Sequence, residues 1–143
     1  MGKRRGLRVQ HWVACLQAEV EPPVGVNNFY NLLRVGYVYT ASADTEFPWV
    51  IPQLDLFARF VGGTGVGEFE IEVEWVDAPS FPRPIETFGP WRVAFRPGDA
   101  TRDSIFRLHH LPMDGPGRYH IRLLAVKPRR RRLLATEYLL VVQ

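Results

Sequence analysis

Hydrophobic and polar residues alternate with a period of two along most of the chain. In the clearest segment, from position 68 to position 75, glutamates take the even positions and apolar residues take the odd ones: Phe69, Ile71, Val73 and Trp75. Successive side chains of a β-strand point to opposite faces, so this segment predicts a strand with one apolar and one acidic face. A helix would distribute both sets around its axis.

Similar patterns predict strands in seven further segments. These are approximately residues 8–19, 33–39, 54–60, 91–96, 106–109, 118–123 and 133–142. The last segment is a more continuous apolar run, which is typical of a strand buried on both faces. Near residues 27–33, where apolar and polar residues mix, a short helix is the alternative interpretation.

Glycine and proline clusters separate these segments. Residues 21–25 end the first predicted strand, residues 97–99 and 114–117 predict turns, and residues 127–132 predict the tip of a final hairpin. The glycines at 62–65 lie between two strong strands and predict a hairpin loop. The proline-rich stretch 79–90 predicts a longer crossing between sheets.

These elements predict an all-β fold, a two-sheet antiparallel β-sandwich of about eight strands, immunoglobulin-like or C2-like. Residues 1–143 form one predicted domain with a basic N-terminal tail at 1–7. Of the 143 residues, 46% are hydrophobic and 23% charged, as in a globular domain. The single cysteine, Cys15, cannot form an internal disulfide. With no secretory signal and no apolar run long enough to span a membrane, we expect a cytoplasmic protein.

One nine-residue segment, Leu111–Tyr119, resembles the tyrosine corner of many immunoglobulin-like sandwiches. That resemblance implies a buried Tyr119 whose hydroxyl bonds nearby backbone. The layout around Phe47-Pro48, Leu54–Arg59, Gly62–Gly67 and Glu68–Asp77 is similar to that of uncharacterised bacterial sandwich proteins of the DUF6941 type. This second resemblance covers about half of the chain and implies no known activity.

The sequence predicts no catalytic residue, no cofactor site and no metal site. The glycine loop lacks the Lys-Ser/Thr end of a phosphate-binding loop, and a strand follows it instead of a helix. His109 and His110 are neighbours on a strand and point to opposite faces. A metal site from His109, His120 and a glutamate requires that their strands pair, and no ligand spacing supports it.

Four glutamates share the polar face of one predicted strand: Glu68, Glu70, Glu72 and Glu74. Alternating basic residues that could pair with these glutamates occur at 118–122 and at 107–109. We expect cross-strand ion pairs on a solvated face. Docking of a basic partner on Glu70 and Glu72 is the alternative.

Five cations occur within six residues near the C-terminus: Lys127, Arg129, Arg130, Arg131 and Arg132. Such a cluster binds anionic groups of nucleic acid, lipid or acidic protein surfaces. The run contains no aromatic residue on which bases stack. A solvated hairpin tip without a ligand is the simpler interpretation.

Two aromatic residues, Trp49 and Phe57, suggest an exposed apolar patch that would mark a protein interface. Pro48 and Pro52 argue against a regular central strand around Trp49. In the alternating pattern of residues 54–60, Phe57 occupies a position that faces outward. Covering by the long loop 79–90, which carries Phe81 and Phe88, is the alternative. The leading hypothesis is therefore a non-enzymatic protein-interaction or structural module, a homo-oligomer or an adaptor, and the second is an anion-binding module.

Overall fold

The structure is a computed structural model that describes residues 6–21, 29–35, 38–40, 44, 46–81, 83–98, 100–127 and 130–143. These ranges contain nine strands. They are β1 (Arg8–Glu21), β2 (Phe29–Val35), β3 (Val38–Thr40), β4 (Trp49–Val61), β5 (Gly65–Trp75), β6 (Ile85–Phe95), β7 (Thr101–Met113), β8 (Gly117–Lys127) and β9 (Arg130–Val142). Within the described ranges, no helix has the length and apolar character needed to cross a membrane.

The strands form two sheets, one in the order β2-β1-β4-β7 and the other in the order β3-β9-β8-β5-β6. Strand pairs are antiparallel apart from β3 and β9, which are parallel. The predicted two-sheet sandwich is confirmed. The helix alternative near residues 27–33 is wrong for Phe29–Val35, which pair with β1 as a strand. The predicted strand 33–39 is divided between β2 of one sheet and β3 of the other.

Two connections differ from the prediction. The loop at 62–64 joins β4 to β5, which belong to different sheets, so it is a crossing and not a hairpin loop. The proline-rich stretch joins β5 to β6, which pair within one sheet, so it is not a crossing. A period-two pattern fixes which face of a strand is apolar but does not identify the neighbouring strand. The final hairpin is confirmed, since Lys127 pairs with Arg130; Arg129 lies outside the described residues.

Trp49 belongs to a central strand, contrary to the expectation from its flanking prolines. Pro52 lies in the part of β4 that precedes its first described pairing with β1, at Asp55. On the other side of β4, Ile51 is opposite Leu111 of β7 and Gln53 is opposite His109, and no pairing is described for Pro52. His110, which lies between these two β7 residues, has a positive φ of 54°. A strand can include a proline where no neighbour requires its missing N–H.

Aromatic rings from both sheets meet in the core. The ring centroid of Phe60 lies 4.8 Å from that of Phe69, 5.7 Å from Phe95 and 6.4 Å from Phe106. Phe60 and Phe106 belong to the first sheet, and Phe69 and Phe95 to the second. Trp91 adds a contact with Phe106 at 5.2 Å. These tilted and edge-on contacts connect the sheets over the ends of β4 and β6.

Tyr119 holds the crossing between β7 and β8. Its hydroxyl donates to the Gly115 carbonyl at 2.5 Å and accepts from the Gly115 N–H at 3.2 Å. The backbone bond implied by the tyrosine-corner resemblance is therefore present. The indole of Trp75 stacks on the Tyr119 ring, 6.2 Å away, and donates to the Pro116 carbonyl. Burial raises the pKa of Tyr119, so the hydroxyl keeps its proton at neutral pH.

Asp55 is fully buried, although alternation places it on the outward face of β4. Its carboxylate accepts two hydrogen bonds from Arg107, both of 2.9 Å, and one of 2.7 Å from the Ala18 N–H. Arg107 also donates to the Ala18 carbonyl at 3.4 Å. Ala18 lies beyond Cys15, the last residue of β1 that pairs with β4. The ion pair therefore holds β1 where its backbone leaves the neighbouring strand.

We expect Arg107→Met to lower the free energy of unfolding by about 3 kcal/mol, because the buried carboxylate of Asp55 loses its counter-ion. Urea unfolding of the variant measures this change. The matched control is Arg92→Met, which removes an exposed pair with Glu68 and is expected to cost under about 1 kcal/mol. Equal losses in the two variants would show that the Asp55 pair has no special structural role.

A second buried carboxyl, Glu137, lies on the core face of β9. It is opposite Ile121 and shares its face with Leu139 and Val141. Its exposed fraction is 9%, and its carboxylate accepts a hydrogen bond of 2.8 Å from the Tyr138 N–H. Burial raises the pKa of Glu137 above its ordinary value of 4.5. Ionisation of this group therefore costs the folded state free energy.

We expect Glu137→Gln to raise the melting temperature at about pH 7.5 and to change it little at about pH 4. The folded-state pKa is raised, so the wild type loses stability as the pH rises through that value, and glutamine removes the loss. Thermal unfolding of both proteins at the two pH values measures the difference. A gain of the same size at both pH values would mean that packing, not ionisation, causes it.

Candidate anion-binding groove

One end of the sandwich collects arginines from the ends of several strands. β1 begins there, and the β4–β5, β6–β7 and β8–β9 connections all lie there, because the strands alternate in direction. We call this end the basic end. The arginines near it, within the described residues, are Arg8, Arg59, Arg92, Arg96, Arg102, Arg130, Arg131 and Arg132, of which Arg59 is paired with Asp103.

A groove of about 1050 Å³ lies at the basic end. We call it the basic groove. Its walls are formed by residues 6–7, 62–64, 66–69, 92, 95, 125–126 and 130–133. Its charged residues are Arg92, Arg130, Arg131, Arg132 and Glu68. The glycine loop and the arginine run, which are far apart in sequence, therefore form the same site.

The glutamates of β5 neutralise part of this charge. Arg131 contacts Glu70 and lies 3.0 Å from a Glu72 carboxylate oxygen. Arg92 lies 3.1 Å from Glu68, its cross-strand neighbour. Two of the four groove arginines are thus paired with carboxylates.

The predicted ladder continues along β5 away from the basic end. Arg122 lies 3.7 Å from a carboxylate oxygen of Glu72 and 3.0 Å from one of Glu74. Arg83 lies 3.4 Å from Glu74, and these arginines lower the pKa of Glu74 against the effect of burial. The cross-strand ion pairs with residues 118–122 are confirmed at Arg122. The expectation that residues 107–109 also pair with these glutamates is wrong. Residues 107–109 lie on β7, which belongs to the other sheet.

Two groove arginines contact no carboxylate among the described residues: Arg130 and Arg132. Arg132 donates to the Leu7 carbonyl at 2.5 Å, which brings the start of the described chain to the groove wall. A carbonyl accepts a hydrogen bond but does not neutralise a guanidinium. The groove therefore keeps a net positive charge, and these guanidinium groups can donate to an anion.

The glycines of the loop allow the backbone to lie on the core rings. A Cβ atom at Gly63 would overlap the ring of Phe95, and one at Gly67 would lie 2.8 Å from the ring of Phe69. Close packing therefore explains these two glycines without any phosphate-binding motif. The rings of Phe69 and Phe95 in turn form part of the groove wall.

The predicted interface residues do not line the groove, although Glu70 and Glu72 contact its Arg131. Phe57 is 6% exposed, and Trp49 is half-buried against the core. Glu70 and Glu72 form the ion pairs with Arg131. The exposed patch at Phe57 on which the interface hypothesis depended is absent. Of the two aromatic residues in the stretch considered as a cover, Phe81 is 90% exposed and Phe88 packs against the core.

The histidines do not form the metal site considered from the sequence. His109 lies on β7 and His120 on β8, and these strands belong to different sheets. The ring of His120 packs edge-on against that of Tyr138, 4.8 Å away. Burial, together with the charge of Arg122, lowers the pKa of His120. In the part of the chain that the structure describes, no three potential metal ligands cluster.

Sequence reasoning identified Arg130, Arg131 and Arg132 but missed Arg92 and Gly63 as parts of the same site. Their convergence depends on strand direction and on which sheet each strand joins. A count of strand directions from β4 to β9 would have placed the 62–64, 96–100 and 127–130 connections at one end.

Comparison of the chain with protein-family models, curated proteins and solved structures gave no match. The resemblance to the DUF6941 type therefore stays an expectation.

Proposed function

We propose that this protein is a non-enzymatic binding module that holds anionic ligands in the basic groove. The observation that carries the proposal is the convergence of four arginines on one groove, two of them without a carboxylate partner among the described residues. Arginine presents several N–H donors in a planar arrangement that suits phosphate and carboxylate groups. The function follows from charge and shape together.

The distribution of charge supports a directed site. At the opposite end of the sandwich, Arg118 forms a close pair with Asp77, 2.8 Å apart, and lowers the pKa of that carboxyl to about 2. Its charge is thus matched locally. At the basic end, Arg130 and Arg132 have no such match in the described chain, so an approaching anion meets attraction mainly there.

Protein contact through β9 is the second candidate. Leu133, Tyr138 and Leu140 are exposed along this strand. Among the described strands, only β3 pairs with its outer edge, and only at residues 140–142. An open strand edge with exposed apolar side chains favours association with another strand. This contact would make the protein a homo-oligomer or an adaptor, and it is compatible with anion binding at the groove.

We expect wild-type protein to be retained on immobilised heparin at about 50 mM salt and to be released by about 200 mM salt, because binding depends on counter-ion release. Arg130→Ser combined with Arg132→Ser should remove most of this retention. Elution salt concentration on a heparin column measures it.

The matched control is Arg83→Ser combined with Arg118→Ser, which removes the same charge from the opposite end. We expect the control to elute near the wild type. If both double variants lose retention equally, net charge alone drives binding and the groove has no function as an anion site.

A further inference from the structure

We infer that the ligand of the basic groove is a linear chain of phosphate groups, which lies across the β4–β5 loop and also reaches Arg96 and Arg102 on the far side of that loop. This inference rests on the proposed anion-binding function and names the class of anion. Its basis is a second set of arginines, outside the groove, that lines the same opening between the two sheets.

The β4–β5 loop, residues 62–64, divides the opening between the sheets at the basic end. It runs from β4 of the first sheet to β5 of the second. β1 lies on one side of β4 and β7 on the other, while β8 and β9 lie on one side of β5 and β6 on the other. Because β1 lies against β9 and β6 lies against β7, the opening has one half between β1 and β9 and another half between β6 and β7.

Arg130 and Arg132 belong to the β1–β9 half. Arg132 is opposite Ala125 of β8, which is opposite the buried Phe69 of β5. Residues that are opposite each other in a sheet share a face, as do residues two positions apart on a strand. Both arginines are therefore on the inter-sheet face of β9. The hydrogen bond from Arg132 to the Leu7 carbonyl joins β9 to the chain just before β1 across this half of the opening.

Arg96 and Arg102 belong to the β6–β7 half. Arg102 is opposite the buried Phe60 across the β4–β7 pair, so it too is on the inter-sheet face. Arg96 directly follows the last residue of β6, and both arginines are exposed. They line a small pocket that shares residues 62–63 and Phe95 with the basic groove. Neither contacts a carboxylate among the described residues.

The separation of the two halves sets the length of the ligand. From β9 to β6 the second sheet has three strand steps, which amount to about 14 Å at about 4.8 Å per step. A single phosphate ion does not contact both pairs of arginines over that distance. Phosphates follow one another at about 3.4 Å along one strand of a nucleic-acid duplex, and at this spacing a chain of about four phosphates reaches both pairs.

The aromatic residues of the opening favour a chain without bases. Single-stranded nucleic acid binds by stacking its bases on exposed aromatic rings. Among the described residues, the aromatic side chains that line the groove and the small pocket are Phe60, Phe69 and Phe95, and all three are buried in the core. The opening therefore offers arginine donors for phosphates but no stacking surface for bases.

Isothermal titration calorimetry with pyrophosphate and with an inorganic polyphosphate of about eight units, twice the required length, tests the inference. We expect wild-type protein to bind polyphosphate about a hundredfold tighter than pyrophosphate, because two more charged contacts form and each strengthens binding about tenfold. This comparison does not depend on the folding of any variant.

Variants then place the chain. Arg96→Ser combined with Arg102→Ser should remove the hundredfold advantage of polyphosphate and leave pyrophosphate binding in the groove unchanged. The dependence of log K on log salt concentration should become less steep by about 1.4, or about 0.7 for each lost phosphate contact. Arg96→Lys combined with Arg102→Lys keeps the charge and should restore most of this slope. The matched control, Arg83→Ser combined with Arg118→Ser at the opposite end, should alter neither measurement.

Several results would overturn the inference. If the serine variant of Arg96 and Arg102 binds polyphosphate as tightly as the wild type, the ligand stays within the groove, and only the proposed function stands. Loss of pyrophosphate binding in that variant would indicate one compact anion site. Tighter binding of a single-stranded oligonucleotide of equal charge would assign the opening to nucleic acid. If neither heparin nor polyphosphate binds, both the inference and the proposed function fail.

Discussion

The packing of Phe60 against Phe69 and Phe95 is the contact on which the basic end depends. Phe60 is the last residue but one of β4 in the first sheet, and the other two rings come from β5 and β6 of the second sheet. The chain crosses between the sheets immediately after Phe60, through a loop whose Gly63 lies on the Phe95 ring. Because the rings fix the separation of the sheets here, they also fix where the arginine-bearing strand ends meet.

A second inter-sheet contact lies further along the sandwich. The indole of Trp12, on β1, donates to the Ile121 carbonyl on β8 at 3.2 Å. With the Tyr119 hydroxyl bond at the β7–β8 crossing, it aligns the two sheets along their length. Aromatic side chains therefore provide both the apolar core and the polar contacts that set its register.

Glutamates and arginines on the second sheet have different roles according to position. Glu72, in the middle of β5, lies between Arg122 and Arg131 and is fully engaged. Towards the basic end the last glutamate of β5 is Glu68, which is level with Arg131 across β8, and Arg130 lies one position further along β9. The excess positive charge of the groove comes from Arg130 and Arg132, which contact no carboxylate among the described residues.

Alternation along the chain was sufficient to predict the class of fold and the two faces of β5. It also predicted that Arg122 would pair with the glutamates, because Arg122 and the glutamates occupy the polar positions of their alternating strands. In the structure those two strands are neighbours, and Arg122 is opposite Glu72. It could not predict that β4 and β5 belong to different sheets, because the same pattern fits a hairpin and a crossing.

Sequence also misled at Asp55 and Phe57, which have outward parity but are buried. Burial of Asp55 is explained by Arg107, a residue 52 positions away that becomes its cross-strand neighbour only in the folded chain. The groove was unpredictable for the same reason. Its glycines and its arginine run are distant in sequence, and only the sheet order brings them together.

We propose that the fold forms an anion site at one end by gathering arginines there, two of which contact no carboxylate among the described residues. Nuclear magnetic resonance of the arginine Nε–Hε groups during titration with a short heparin oligosaccharide tests this proposal most directly. We expect the signals of Arg92, Arg130 and Arg132 to shift with a common saturation curve, while those of Arg83 and Arg118 at the opposite end stay in place. Equal shifts at both ends, or shifts confined to Arg83 and Arg118, would contradict the account.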